Sequence, residues 1–290
     1  MRMHIGHVAM RVTDLRKSVD HARRTLGLRE TWRSDTEVHL SANEKHHELQ
    51  FIASGKAGLD HVGLEIEDVD DLHDMRDRII ASGAKILTEK IDEEGIDQGL
   101  RCAGPGGIVF EVYTGMSRAL LTPKLVTGPL ARRLGHVTLF VEEKAELQRF
   151  LLDVLDFRIS DKVGDLQTWL RCDDDHHGIA IGQSVKGDRM HHYAFEVESI
   201  GAIAHYADHI SQDGQRFLWG PGRHGPGFNI YTYLFDPEEA VVEVYTDLLK
   251  IRDEAAYKAI DWSTEPRAMN LWGPSHPERF EELGIPTLSQ

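Results

Sequence analysis

Four short segments of this chain share one pattern, in which a histidine is followed by alternating apolar residues. They read HVAMRV from His7, HVGLEI from His61, HVTLFV from His136 and HYAFEV from His192. Alternation with a period of two is typical of a β-strand. Behind each segment, apolar residues recur three or four positions apart, which predicts a helix, and shorter strand-like runs follow. The sequence therefore predicts one unit, a strand, a helix and two or three strands, repeated four times.

The four units pair into two halves that look like copies of one template. Both halves contain the letters EVYT in their last predicted strand, which places Glu111 in the first copy and Glu243 in the second. The distances along the chain agree between the copies. His7, His61 and Glu111 are spaced 54 and 50 residues apart, and His136, His192 and Glu243 are spaced 56 and 51 apart.

This duplication predicts the domain boundaries. We expect an N-terminal domain at residues 1–118, a linker at 119–133 and a C-terminal domain at 134–250. The linker is expected where the chain contains Pro and Gly and does not alternate. Residues 251–290 are polar and rich in proline, which indicates a C-terminal extension that drapes over one half.

Glu243 lies in a run of Val and Tyr that predicts a strand buried on both faces, where an unpaired carboxylate is costly. Because side chains alternate along a strand, His136 faces the same side as Thr138 and Phe140, away from the predicted helix. The same alternation turns His192 and Glu243 to that side. Two imidazoles and one carboxylate in a concave apolar site suit Fe(II) with open coordination positions, although Zn(II) accepts the same ligands. The sequence therefore predicts a metal ion as the partner of Glu243.

Net charge and composition limit the partners and the setting. The formal charge of −15 and the absence of a basic cluster argue against a nucleic acid or an anionic membrane as partner, because Lys and Arg bind such surfaces. The chain has only two cysteines, no apolar core of a signal peptide at its start, and no apolar run near the ~20 residues that span a bilayer. We therefore expect a cytoplasmic protein, and a homo-oligomer whose number of subunits the sequence does not give.

Several motifs of the second half, taken together, resemble one known family. They are GHVTLF, DHHGIAI, MHHYAFEV, GRHGPGFNIYTYLFDP and VVEVY. The chain resembles the vicinal oxygen chelate superfamily and, within it, the type I extradiol catechol dioxygenases, over nearly its whole length. The resemblance implies an α+β fold of four βαβββ modules paired into two barrel-like domains. It also implies cleavage of a catechol with O2, with Fe(II) as the expected cofactor and Mn(II) as the next choice.

The resemblance also implies roles for individual residues. His136, His192 and Glu243 match the metal ligands, and His177, which precedes the GIAI strand, matches the catalytic acid and base. His224 and Tyr233 match residues that hydrogen-bond the substrate. His176, next to His177, is expected to face the opposite way as a surface residue, and His191, next to His192, is expected to point away from the site. The candidates for the wall of the substrate pocket are Thr138, Trp169, Trp219, Phe228, Asn229, Tyr231 and Trp272.

Two features depart from the family pattern. Thr138 stands where some relatives have an asparagine, so a role there does not carry over. In the first half, Arg101 takes the position that parallels Tyr233, and no histidine parallels His224. We therefore expect a non-catalytic N-terminal domain in which Glu111 pairs with Arg101 or with histidines. The sequence leaves open whether His7, His61 and Glu111 bind anything, although His47 even parallels His177.

Two other functions use the same fold and stay open. A glyoxalase-type isomerase or lyase would need the metal ligands but not His177, His224 and Tyr233. A binding protein of the bleomycin-resistance type would use the concave sheet without a metal, which an intact ligand set disfavours. Neither the identity of the catechol nor the choice between Fe and Mn follows from the sequence.

Overall fold

The computed structural model describes residues 2–119 and 131–288. Four modules follow one another, each a strand, a helix and three further strands, as the sequence predicts. The N-terminal half comprises β1 (Met3–Val12), α1 (Leu15–Thr25), β2 (Arg29–Arg33), β3 (Glu37–Ser41), β4 (Leu49–Ala53), β5 (Gly58–Ile66), α2 (Val69–Ala81), β6 (Ile86–Thr88), β7 (Gln98–Ala103) and β8 (Val109–Thr114). The C-terminal half comprises β9 (Arg133–Val141), α3 (Lys144–Arg149), β10 (Arg158–Val163), β11 (Gln167–Arg171), β12 (Ile179–Gln183), β13 (Arg189–Glu196), α4 (Ile200–Gln212), β14 (Trp219–Arg223), β15 (Ile230–Phe235) and β16 (Val241–Thr246). The repeated histidines lie inside their strands rather than at the start, because the residues before them also pair with neighbours.

Each half forms one mixed sheet with the same connections. The N-terminal order is β2-β3-β4-β1-β5-β8-β7-β6, and the C-terminal order is β14-β15-β16-β13-β9-β12-β11-β10. In both sheets the first strands of the two modules run antiparallel at the centre. Each of these central strands also pairs in parallel with the last strand of its own module. The predicted α+β fold of four βαβββ modules is therefore confirmed.

The helices begin and end where the sequence places their signals. The Asp14 side chain accepts a hydrogen bond from the backbone N–H of Lys17 and caps the start of α1. Gly27, Gly83 and Gly214 lie just beyond the ends of α1, α2 and α4 and have φ of 70°, 79° and 73°. Glycine adopts this left-handed conformation without a side-chain clash, so it lets the chain leave the helix and return to the sheet. α3 continues as a π-helical turn at Phe150–Val154.

The predicted C-terminal extension runs over the C-terminal half. Its strand β17 (Ile260–Asp261) pairs with β10, and β18 (Ile285–Pro286) pairs with the start of β13. Near its end, the hydroxyl of Thr287 donates to the carbonyl of Gly106 over 3.0 Å, so the extension also reaches the N-terminal half. These contacts fix the extension against an outer strand, β10, and a central strand, β13, of the C-terminal sheet.

Most of the predicted linker falls on residues 120–130, which lie outside the described residues, and β9 begins at Arg133. Cys102 and Cys172 are both buried and free. Within the described ranges, no helix has the length and apolar composition needed to cross a bilayer.

Candidate metal centre and cavity

Adjacent strands of the C-terminal sheet bring the three predicted ligands together. His136 lies on β9, His192 on β13 and Glu243 on β16. His192 pairs with Thr138 of β9, and Glu243 pairs with Ala194, two residues beyond His192. Nε2 of His136 and Nε2 of His192 lie 3.0 and 3.1 Å from Oε2 of Glu243. All three side chains are buried. Their role as metal ligands stays a prediction.

Two β-bulges between β9 and β13 aim these ligands. Gly135 is the extra residue before His136, and His191 is the extra residue before His192. A side chain at Gly135 would overlap the hydroxyl of Tyr245, the tyrosine of the second EVYT, which packs against the His136 ring. Because a bulge interrupts the alternation of a strand, His191 and His192 both line the same cavity. The expectation that His191 points away is therefore wrong.

A chain of hydrogen bonds fixes which nitrogen of His192 faces Glu243. Burial lowers the pKa of His191 to about 3, so this ring is neutral, and its Nε2 donates to the carbonyl of Phe280 over 2.8 Å. Nδ1 of His191 must then accept, and Nδ1 of His192 donates to it over 2.6 Å. Burial also lowers the pKa of His192, so its Nε2 carries a lone pair. This lone pair points at a carboxylate oxygen, an arrangement that a cation between the two atoms would satisfy.

Glu243 is held as a carboxylate by its neighbours. Burial acts to raise the pKa of Glu243, but its neighbours, His136 first among them, outweigh burial and hold the pKa well below its usual range. Nδ2 of Asn229 donates to Oε1 over 2.8 Å, and the hydroxyl of Tyr233 donates to Oε2 over 2.9 Å. The glutamate can therefore offer an anionic oxygen to a cation.

Tyr233 and His224 form a pair of polar groups beside His136, His192 and Glu243, which we call the triad. Burial lowers the pKa of His224 to about 4, and its Nδ1 donates to the carbonyl of Met269 over 2.7 Å. Its Nε2, 3.0 Å from the hydroxyl of Tyr233, is then an acceptor. The Tyr233 hydroxyl has one proton and two acceptors, His224 and Glu243. A cation on Glu243 would leave this proton to His224.

His177 contacts the triad from another side of the cavity. Its ring centroid lies 4.3 Å from that of His136, and its Nδ1 lies 3.0 Å from Nδ1 of His176. His176 in turn places Nε2 3.2 Å from Oδ2 of Asp161, which favours the N–H form at that nitrogen. Nδ1 of His176 then accepts from His177, so Nε2 of His177 keeps its lone pair for the cavity. Burial is the main reason why the pKa of His177 is lowered well below its ordinary value.

The expectation that His176 is a surface residue is wrong. His176 is fully buried, because it precedes β12 in an irregular turn where strand alternation does not apply. Its neighbour Asp161 also accepts hydrogen bonds from the C-terminal extension. The donors are the Tyr257 hydroxyl at 3.1 Å, the Ile260 N–H at 2.8 Å and Nε1 of Trp262 at 2.8 Å.

Asp161→Asn is expected to loosen the extension. An amide group turns N–H donors toward groups that are themselves donors, and leaving them unpaired costs about 1–3 kcal/mol. Urea unfolding and limited proteolysis of the extension measure the effect. Asp165→Asn, in the exposed turn before β11, is the control and should stay within about 0.5 kcal/mol of the parent. Equal unfolding midpoints for the two variants would contradict the role of Asp161.

The triad faces a cavity that is partly open to solvent. Its lining includes every residue predicted to act there: the triad, His177, His224 and Tyr233, together with the predicted wall residues Thr138, Trp169 and Asn229. The lining also contains residues that we did not predict, namely Phe140, Gln167, Met269, His276, Phe280 and Glu281. Phe140 and Gln167 could have been predicted from the sequence, because each lies two residues from a predicted wall residue on the same strand. The other four belong to the extension, which has no periodicity to interpret.

Four predicted wall residues are not part of the lining. Phe228 is 37% exposed and packs against Trp262 of the extension. Tyr231 stacks on His224 at 3.8 Å between ring centroids, and Trp219 stacks on Tyr233 at 5.5 Å, so both support the site from behind. Trp272 is half exposed under the guanidinium of Arg223. The structure therefore places these four residues outside the lining, and a role in the substrate pocket stays a prediction for each.

In the N-terminal half, the predicted contact between Arg101 and Glu111 is confirmed. Arg101 is the cross-strand neighbour of Glu111, as Tyr233 is of Glu243. Nε of Arg101 donates to Oε2 of Glu111 over 2.6 Å. Whether this half is non-catalytic stays a prediction.

Comparison with known proteins gives the family. A manganese-dependent 2,3-dihydroxybiphenyl 1,2-dioxygenase from Geobacillus genomosp. 3 is 26% identical over 258 residues, which cover 80% of this chain and 81% of that protein. The solved Mn(II)-bound glyoxalase from Novosphingobium aromaticivorans has a TM-score of 0.88 at 24% identity and covers 100% of this chain and 98% of its own. The substrate complex of homoprotocatechuate 2,3-dioxygenase from Brevibacterium fuscum has a TM-score of 0.88 at 21% identity. The match covers 97% of this chain and 92% of that protein. These two structures establish a likeness of fold.

The family match itself extends over both halves. Residues 4–112 and 133–244 match the family described as the Glyoxalase/Bleomycin resistance protein/Dioxygenase superfamily. This chain therefore belongs to the glyoxalase, bleomycin resistance protein and dioxygenase superfamily.

Proposed function

We propose that this chain is an extradiol dioxygenase, which inserts both atoms of O2 into a catechol next to its vicinal diol and gives a hydroxymuconic-semialdehyde-type product. One observation carries the proposal. His177, His224 and Tyr233 line the cavity that the His136, His192 and Glu243 set faces. A glyoxalase-type isomerase would need the three candidate ligands without these additional groups. The name of the Geobacillus relative agrees with this choice.

The candidate ligands fit Fe(II) or Mn(II). Two imidazole nitrogens and one carboxylate oxygen lie within 4.8 Å of one another and leave open coordination positions. The lone pair of His192 directed at Glu243 supports a cation at this point. His136, His192 and Glu243 would hold the ion. When bound, the ion would supply a place where catechol and O2 are activated side by side.

The surrounding residues would position the catechol and move its protons. His177, neutral and with a free Nε2, would accept a proton from a catechol hydroxyl and return it later in the reaction. The Tyr233 hydroxyl, whose proton His224 would accept, would in turn accept a hydrogen bond from a hydroxyl of the substrate. Trp169 and Phe280 would enclose the aromatic ring and exclude water.

The same proposal includes the organisation of the chain. The C-terminal domain, residues 134–250, would carry catalysis, and the N-terminal domain, residues 1–118, would support it without catalysing. We infer a cytoplasmic protein from the two free buried cysteines, and a homo-oligomer as its form.

Loading the protein with Fe(II) under argon and adding catechol in air tests the activity. We expect a yellow semialdehyde and the uptake of one O2 per catechol. Protein that fails to consume O2 with a panel of catechols but isomerises the hemithioacetal of methylglyoxal would overturn the proposal. Protein that binds aromatic compounds without turnover of either kind would also overturn it.

The charge of the cavity predicts which catechols react best. Among the described lining residues, the only Asp, Glu, Lys or Arg apart from Glu243 is Glu281, so a carboxylate on the substrate would meet no cation there. We therefore expect catechol and 2,3-dihydroxybiphenyl to have a kcat/KM at least about tenfold above that of 3,4-dihydroxyphenylacetate, equivalent to about 1.4 kcal/mol.

Steady-state kinetics on the three substrates measures this difference. Glu281→Gln removes the second negative charge and should narrow the difference, mainly through the KM of the charged substrate. A preference for 3,4-dihydroxyphenylacetate in the parent protein would contradict the prediction.

A further inference from the structure

The N-terminal half repeats the geometry of the candidate metal centre. His61 pairs with Ala9, two residues beyond His7, as His192 pairs with Thr138, two residues beyond His136. Glu111 pairs with Gly63, two residues beyond His61. In the same way, Glu243 pairs with Ala194, two residues beyond His192. The two halves therefore hold their histidines and their glutamate in the same register.

A fourth residue, Glu93, joins this set. It lies eight residues before Arg101, near the place that His224 takes before Tyr233. We name His7, His61, Glu93 and Glu111 the N-terminal cluster, and one ligand atom of each lies within 4.8 Å of the others. All four residues are buried.

The histidine-to-glutamate distances within the N-terminal cluster fit the ligands of an ion better than they fit hydrogen bonds, while Nε2 of His7 and Nε2 of His61 lie 2.9 Å apart, within hydrogen-bond distance. Nε2 of His7 lies 3.6 Å from Oε1 of Glu93 and 3.6 Å from Oε1 of Glu111. Nε2 of His61 lies 3.7 Å from Oε2 of each glutamate. These distances are too long for hydrogen bonds. Ligand atoms at about 2.1 Å from a tetrahedral ion are about 3.4 Å apart. Oε1 of Glu111 also lacks a hydrogen-bond partner among the described residues, and Oε1 of Glu93 lies 2.9 Å from Nε2 of His47.

The ring of His61 is oriented as a ligand would be. Oδ1 of Asp60 lies 2.7 Å from Nδ1 of His61 and accepts its proton in a hydrogen bond. This leaves the Nε2 lone pair directed into the cluster. Asp60 occupies the β-bulge before His61, as His191 does before His192, so both halves fix the second histidine from the same position. A carboxylate in this role is typical of metal-binding histidines. The charge of Asp60 is balanced by Arg11 at 2.6 Å.

Arg101 does not balance the charge of the N-terminal cluster. It donates to Glu111 through Nε and to Glu93 through Nη2, both over 2.6 Å, so one cation serves two buried carboxylates. The exchange of Tyr233 for Arg101 adds one positive charge, and the gain of Glu93 adds one negative charge. The cluster therefore keeps the single negative charge that Glu243 has in the other half. With a divalent ion bound, the site in each half would have a net charge of +1.

We propose that the N-terminal cluster binds a second divalent transition-metal ion. Its two nitrogen and two oxygen donors suit Mn²⁺, Fe²⁺ or Zn²⁺. Four protein ligands leave a tetrahedral ion no open position, so this ion is structural and joins the first strands of both N-terminal modules. The proposal does not depend on the reaction catalysed in the C-terminal half.

Metal content measured on full-length protein tests the second site. Apoprotein is loaded with Mn²⁺ alone and desalted, and Mn per chain is measured by mass spectrometry. We expect two ions in the parent chain. His192→Ala/Glu243→Ala, which leaves the N-terminal half unchanged, should keep one ion. Glu111→Gln should also keep one ion, with a lower Tm in the presence of Mn²⁺ than the parent.

Arg101→Met is the deciding control, because it removes the charge of Arg101 but none of the four ligands. It should keep two ions. One ion in the parent and two in Arg101→Met would show that Arg101 takes the place of the ion, which overturns the proposal. One ion in the parent and none in His192→Ala/Glu243→Ala would overturn it as well.

Discussion

Glu243→Ala is expected to lose one metal ion per chain and to reduce ring cleavage to background. The carboxylate is one of only three protein ligands proposed for the C-terminal ion, and its removal leaves two imidazoles that compete for the ion with water. Nε2 of His192 also loses the anion that it faces at 3.1 Å. Iron content after dialysis and O2 uptake with catechol measure the two effects.

Glu281→Ala is the matched control for this loss. Glu281 lies in the same cavity but on the extension, and it pairs with His276 at 2.8 Å. This variant should keep the iron content of the parent. If Glu243→Ala retained all of its iron, the ligand role of Glu243 would be wrong, and the carboxylate would be a hydrogen-bond acceptor for Tyr233 and Asn229 alone.

The arrangement of strands was predictable because the sequence repeats it. Period-two alternation after each histidine and helical spacing behind it identify the modules, and the equal intervals between His7, His61 and Glu111 and their counterparts reveal the duplication. These signals follow from the burial of one face of each strand and helix, which nearby residues in the sequence record.

Alternation fails where the backbone departs from a regular strand. His191 stands in a β-bulge and therefore faces the cavity, whereas His176 stands in a turn before β12 and is buried instead of lying at the surface. Phe228 has a φ of 55°, which turns its side chain out of the cavity. The motif match anticipated that His177 lines the cavity, because a family pattern records such irregular positions, whereas periodicity does not.

The contacts of the extension and of the loop that carries Glu93 could not be predicted from the sequence, for another reason. Their contacts are long-range, such as the bonds from Tyr257 and Trp262 to Asp161, about a hundred residues away. No local pattern encodes these pairings. The wall of the cavity formed by Met269, His276 and Phe280 therefore emerges only in the folded chain.

His177→Gln is expected to lower kcat by roughly 10²–10⁴, the range for removal of a general acid and base. The ring is buried against His136, and its Nδ1–H is held by His176, so Nε2 is available for proton transfer in the cavity. Glutamine retains the polarity and much of the volume of the side chain but cannot exchange a proton near neutral pH. Stopped-flow turnover, iron content and anaerobic binding of catechol measure the separate effects.

The control for His177→Gln is His47→Gln, which changes the corresponding histidine of the N-terminal half. His47 stands in the same irregular turn of its module and bonds to His46 as His177 bonds to His176, both over 3.0 Å. Because it lies in the other sheet, His47→Gln should leave kcat within about twofold of the parent, whereas His177→Gln should lose turnover with iron content and catechol binding unchanged. Near-normal kcat in His177→Gln would assign the proton transfer to another group, and His224, whose Nε2 also accepts in the cavity, would be the next candidate.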